Sequence, residues 1–181
     1  MYARILDLPN LLKQSSYFLF GRRGTGKTTL IEHTLKAALV FDLLHVKTYS
    51  MLVRNPSILE ELIPDGVDLV VIDEVQKLPI ILDEVHRLIQ KRGLCFLLTG
   101  SSARKLKQGG INLLGGRARE ARLFPLVSAE IKDFDLLRML NHGGLPEIYD
   151  SSEPDEDLAA YVDTYLREEI KAEAVTRNIS A

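Results

Sequence analysis

The sequence predicts an α/β fold of three layers, a five-stranded and mainly parallel sheet flanked by helices. Three observations predict it. Five short apolar runs recur along the 181 residues, and helical patterns lie between them. The first four runs are apolar nearly throughout rather than at alternate positions, as strands covered on both faces should be. A glycine-rich loop stands directly between the first run and the first helical stretch.

The first strand is SYFLF at 16–20. Beyond the loop, Leu30, Ile31, Thr34, Leu35 and Ala38 share one side of a helix. VFDLL at 40–44 forms the second strand. Val46 to Pro64 is expected to hold two short helices, with Asn55 capping the second and Pro56 in its first turn. DLVVI at 68–72 is the third strand, and the helix after it carries Ile81, Leu82, Val85, Leu88 and Ile89 on one face. LCFLL at 94–98 is the fourth. AREARLF at 118–124 interleaves charges with apolar residues and suits a sheet edge.

Residues 1–124 form the core domain in this reading, because from Pro125 onward the pattern is helical only. That stretch is broken by the turn Gly143, Gly144, Leu145, Pro146 and by the acidic run SSEPDED at 151–157. Residues 125–181 are read as a small helical subdomain. Its last helix lines up Leu158, Val162, Tyr165, Leu166, Glu169 and Ala172, a mostly apolar side that calls for a partner.

Composition narrows the function classes. Hydrophobic residues make up 46% and charged residues 27%, which fits a compact domain and indicates neither disorder nor a fibrous repeat. A formal net charge of -2 leaves nucleic-acid binding unsupported. The single cysteine, Cys95, excludes a disulfide framework and a cysteine metal site within one chain, and is read as a buried structural thiol. No stretch reaches the ~18 apolar residues of a membrane span, so the expected address is cytoplasmic, with no membrane contact. His33, His45, His86 and His142 are scattered without metal-ligand spacing.

The chemistry is concentrated in GRRGTGKT, Gly21 to Thr28, which meets the pattern GxxxxGK[ST] at Gly21, Gly26, Lys27 and Thr28. Gly21, Gly24 and Gly26 allow backbone angles closed to other residues, so that successive amides can turn inward around a phosphate chain. The helix starting near Lys27 adds its positive end. Lys27 supplies a point charge for the outer phosphates, and the Thr28 hydroxyl a ligand for magnesium. Thr25 and Thr29 complete the expected nucleotide contacts. Arg22 and Arg23 are read as solvated loop residues.

Asp73 and Glu74 follow the third strand, at the carboxyl end where open α/β sheets bind ligands. Asp73 suits the magnesium shell. Glu74 suits polarisation of an attacking water, or else is the first acidic residue of an exposed helix. Gln76 can assist there, or be simply a surface glutamine. Thr99, Ser101 and Ser102 reach the same edge from the fourth strand, where a hydroxyl can sense the terminal phosphate, though Ser101 or Ser102 can equally cap the helix beginning at Ala103. Arg117 follows two glycines and can serve a phosphate in this subunit or a neighbouring one, or be simply solvated. Arg104, Lys105 and Lys107 are read as a solvated helix face.

In this order, GRRGTGKT, LVVIDEVQKLP, FLLTGSSARKL, LLGGRARE with LFPL, GGLPEIY and YVDTYLREEI resemble the predicted AAA+ superfamily ATPases of bacteria and archaea. The resemblance implies the P-loop NTPase fold with a helical lid, ATP and magnesium as cofactors, and Asp73 and Glu74 as the magnesium and catalytic acids. It also implies a sensor near Ser101 or Ser102 and an arginine trigger at Arg117, with a homo-oligomer as a possible setting. Longer members continue past the lid, so the chain is expected to be the ATPase half alone. Two other functions stay open: a small P-loop kinase moving the terminal phosphate to an acceptor, and a nucleotide-loaded switch that does not turn over. A GTPase is disfavoured because no NKxD string occurs.

Overall fold

A computed structural model describes residues 2–101, 106 and 114–165. The chain divides into two compact units, Arg4–Phe124 on one hand and Met1–Ala3 with Pro125–Ala181 on the other.

The larger unit runs α1 (Leu8–Leu12), β1 (Ser16–Phe20), α2 (Lys27–Thr34), β2 (Leu39–Asp42), α3 (Val46–Arg54), α4 (Ile58–Glu61), β3 (Leu69–Asp73), α5 (Ile81–Arg92), β4 (Cys95–Gly100) and β5 (Ala118–Arg122). The five strands form one parallel sheet in the order β2-β3-β4-β1-β5. The charged fifth strand is an edge, as its interleaved pattern predicts, and β4 separates β1 from β3.

Alternation along each strand sorts side chains between two cores. Phe18, Phe20, Val70, Ile72, Phe96 and Leu98 pack on one face with Ile81, Leu82, Val85 and Leu88 of α5. Tyr17, Leu19, Val71 and Leu97 pack on the other with Leu8 and Leu12 of α1 and Leu30 and Ile31 of α2. Burying each of these large apolar side chains contributes about 1.5–3 kcal/mol, which is why both faces read as apolar in the sequence.

Element ends differ from the sequence reading for local reasons. α2 stops at Thr34, so Leu35 is its cap and Ala38 lies beyond it, with Leu35 N–H still bonded to Ile31 O at 2.8 Å. β2 ends at Asp42, whose carboxylate accepts from Leu44 N–H at 2.7 Å and turns the chain. Asn55 ends α3 instead of capping α4, although its side chain accepts from Ser57 N–H at 3.2 Å. Cys95 is only half-buried; its thiol donates to Leu12 O and Ser15 O, and burial pushes its pKa up.

α4 is pinned to α5 by ion pairs. Glu60 accepts from Lys91 at 2.8 Å and from Arg87 at 2.6 Å, and Arg87 also pairs with Glu84. The Lys91 and Arg87 hydrogen bonds hold the Glu60 carboxyl down at about 2, from an ordinary 4.5. A depressed folded-state pKa stabilises fully above the unfolded value and is lost as pH falls through the folded one. Glu60→Gln is therefore expected to lower the thermal midpoint at neutral pH, with the gap to wild type closing between pH 4.5 and 2; parallel melting curves over that range would refute it.

The smaller unit has its own core of Leu126, Ile131 and Tyr149, with Tyr2 and Met139 against it. The predicted glycine turn is present for a packing reason: a Cβ on Gly144 would lie 2.4 Å from Leu126 O. The Tyr2 hydroxyl donates to Asp150, and burial with that bond pushes its pKa up to about 12. Helices span Leu136–His142, Pro146–Asp150 and Pro154–Tyr165. On the last of these Val162 is exposed while Leu158 and Tyr165 are half-buried, and Leu166, Glu169 and Ala172 lie outside the described residues. The larger apolar exposure is instead at Leu136, Leu137 and Leu140. Among the described residues, no helix is long and apolar enough to cross a membrane.

Candidate functional site

The loop from Gly21 to Gly26 leaves β1 at its carboxyl end and runs into α2. Gly21 N–H donates to Gly100 O at 3.3 Å, and a Cβ on Gly21 would meet Leu123 O at 2.6 Å, so the loop starts in a slot too narrow for any side chain. Gly24 and Gly26 have φ of 78° and 87°, the left-handed region that the glycine pattern anticipates. Thr25 is fully buried and its hydroxyl donates to Arg22 O at 2.8 Å, so it shapes the loop from within.

Lys27 is buried, and its ammonium donates to Gly21 O at 2.7 Å and Arg22 O at 3.2 Å. The amine thus lies across the loop it belongs to. Thr28 and Thr29 are exposed at the start of α2, as are Arg22 and Arg23 on the loop.

The acidic end of β3 comes to the same place. Thr28 Oγ1 lies 3.4 Å from Asp73 Oδ2. Asp73 is 7% exposed, and its other oxygen accepts from the fully buried Thr99 hydroxyl. Thr99 in turn accepts from Glu74 N–H at 3.0 Å. One threonine hydroxyl therefore ties the Asp73 carboxylate to the backbone of Glu74, a positioning role at the edge where its strand position suggested a phosphate contact. Glu74 has φ 59° and ψ 45°, a left-handed conformation that turns its carboxylate out of the strand line. It stands at the N-cap of a short 3-10 turn, Val75–Lys77.

Gln76 is half-buried. Its amide nitrogen donates to Glu74 Oε2, and its amide oxygen is buried with no hydrogen-bond partner among the described residues. Ser101 follows β4 at the same sheet edge and is half-buried, whereas Ser102, Arg104, Lys105 and Lys107 lie outside the described residues. Arg117 is exposed and precedes β5, where Ala118 is level with Ser16 in a parallel register. The loop leaves the other end of β1, about 20 Å away along the strands at roughly 3.3 Å per residue. No arginine side chain spans that gap, so Arg117 does not reach this chain's own loop.

One further residue carries no sequence signal. Arg4 donates to Thr25 O at 2.7 Å and to Phe124 O at 2.5 Å, clamping the loop to the end of the β5 segment. A lone arginine far away in sequence has no periodicity to betray such a role.

The arrangement suits a polyphosphate with a hard cation. The loop amides, the α2 N-terminus and Lys27 supply positive potential. Thr28 and Asp73 supply adjacent hydroxyl and carboxylate oxygens of the kind magnesium takes. Among the described residues there is no cluster of three or more histidine, cysteine, aspartate or glutamate side chains for another metal.

A parallel sheet, a glycine loop opening α2 and a carboxylate on the strand one removed together define the P-loop class of nucleotide-binding ATPase domains. Residues 13–132 match the family described as AAA domain, well over half of the 181 residues, and the chain belongs to that family. No curated protein matches it. Among solved structures it is similar to domain III of the replication initiation protein DnaA from Thermotoga maritima, at 16% identity over 91% of this chain and 82% of that one, with a TM-score of 0.48. It is also similar to the Aeropyrum pernix ORC1 protein in complex with DNA, at 16% identity over 74% of this chain and 48% of that one, TM-score 0.47. For the Drosophila ORC bound to DNA the figures are 19%, 87%, 51% and 0.45. The chain spans about half the length of these last two.

Proposed function

We infer that this chain is a magnesium-dependent ATP-binding and ATP-hydrolysing domain whose turnover drives a conformational change. The observation that carries this reading is the meeting of Thr28 with Asp73 at 3.4 Å, with Glu74 next to it on the same threonine-held strand end. Gly21, Gly24, Thr25, Gly26, Lys27, Thr28 and Thr29 bind the phosphates. Thr28 and Asp73 hold the cation, which when bound neutralises charge on the outer phosphates. Lys27 exchanges its loop carbonyls for phosphate oxygens. Glu74 accepts a hydrogen bond from the attacking water and takes its proton, and Ser101 acts as sensor.

Arg117 acts on a neighbouring subunit's nucleotide, a role supported by its distance from its own loop. Residues 125–181 serve as the lid, with a further domain or a protein partner on the C-terminal helix, where Val162 is 43% exposed. A cytoplasmic setting is supported by the unpaired Cys95. The DNA in complex with the Aeropyrum and Drosophila proteins is theirs, and a net charge of -2 gives this chain no general pull on a polyanion.

Phosphate release from ATP and from GTP, with magnesium and with a chelator, tests the reading. ATP turnover is expected to need magnesium, and specific activity to rise with protein concentration, a rise that Arg117→Ala removes. ADP formation only with an added acceptor, and no free phosphate, would replace this reading with a kinase. Tight binding without turnover at any concentration would leave a switch.

A further inference from the structure

We propose that Gln76 is the positioning residue for the Glu74 carboxylate, and that the absence of a side chain at Gly100 is what lets it take that position. The proposal rests on the reading of Glu74 as the group that accepts the water's proton. Gln76 lies two residues beyond Glu74, and the left-handed backbone at Glu74 folds the short turn back so that the two side chains meet. An ionised carboxylate only accepts hydrogen bonds, so the amide NH2 must face Glu74 and the amide oxygen must face away.

That oxygen is held in an unusual spot. It is buried with no hydrogen-bond partner among the described residues, and a Cβ on Gly100 would stand 2.6 Å from it. A glutamine with no task would swing outward and hydrate its amide, since a buried amide oxygen without a donor is unfavourable. Here the amide stays, with its nitrogen on the carboxylate and its oxygen against the last residue of β4. Gly100 O is also the acceptor for Gly21 N–H at 3.3 Å. The contacts Gly21, Gly100, Gln76 and Glu74 therefore form one continuous path from the first residue of the phosphate loop to the acid. The amide fixes one carboxylate oxygen and leaves the other for water.

The test measures ATP turnover and fluorescent-nucleotide affinity at several pH values for wild type, Gln76→Ala, Gln76→Glu, Gly100→Ala, the Gln76→Ala/Gly100→Ala double variant and Glu74→Gln. Gln76→Ala is expected to lower kcat by roughly 10-fold while KM and affinity stay within about twofold, the pattern of a group that acts only in the chemical step. Gly100→Ala should do the same by displacing a flexible side-chain end, so the fold survives. In the double variant the loss should be no larger than in Gln76→Ala alone, because the displaced group is gone.

Gln76→Glu sets a second carboxylate beside Glu74, and its kcat should fall at least as far as that of Gln76→Ala, since a carboxylate cannot donate the bond that the amide gives. A kcat for Gln76→Ala within about twofold of wild type, with Glu74→Gln inactive, would overturn the positioning role and leave the hydrolase reading standing. Losses that multiply in the double variant would overturn the part given to Gly100. Undiminished turnover in Glu74→Gln, or none in wild type, removes the underlying reading and this proposal with it.

Discussion

Replacing Lys27 by alanine is expected to weaken magnesium-ATP binding by about 100-fold or more, as each charge-assisted hydrogen bond to an ionised oxygen contributes about 1.5–3 kcal/mol and Lys27 would make two, one for each loop carbonyl it gives up. Its ammonium rests on Gly21 O and Arg22 O, neutral acceptors that it can exchange for anionic ones with little movement. The fold should persist, because a cation at the amino end of α2 opposes the helix dipole and its removal offsets part of the lost bonding. Calorimetric titration of the two proteins decides the matter. An affinity within tenfold of wild type would mean that the loop does not grip the nucleotide through Lys27.

Glu74→Gln is expected to leave ATP bound and slow phosphate release by about 10²–10⁴-fold, the range for loss of a positioned base. The substitution conserves shape and hydrogen bonding while deleting the proton acceptor. Asp73, tied to Thr28 and Thr99, is untouched, so magnesium affinity should not change. Single-turnover measurements separate the two effects. An unchanged rate would assign the proton to another group or to the phosphate itself.

The parts of this molecule that could be read in advance are those with a repeating physical cause. Phe18, Val70, Phe96 and their neighbours are apolar because both sheet faces are covered, and that leaves a run in the sequence. The loop from Gly21 to Thr28 is legible because phosphate geometry needs small residues at fixed spacing. Asp73 and Glu74 are legible because a strand ends there. Arg4, by contrast, acts through bonds to Thr25 O and Phe124 O, and a backbone carbonyl carries no residue identity to match against. The setting of Gln76 was illegible for a related reason: where its amide rests depends on Gly100, which arrives from another strand. The limits of α2 and β2 were displaced because their ends are set by single hydrogen bonds, which periodicity does not report.

The left-handed backbone at Glu74 has a consequence for how such a chain changes over generations. A side chain in that conformation costs roughly 1–2 kcal/mol relative to glycine. Folding alone would favour glycine or asparagine there, and neither carries a carboxylate. Position 74 is thus a place where mutational drift gains stability while losing the carboxylate. A lineage released from the need for turnover would lose this acid early, with a sturdier protein as the result.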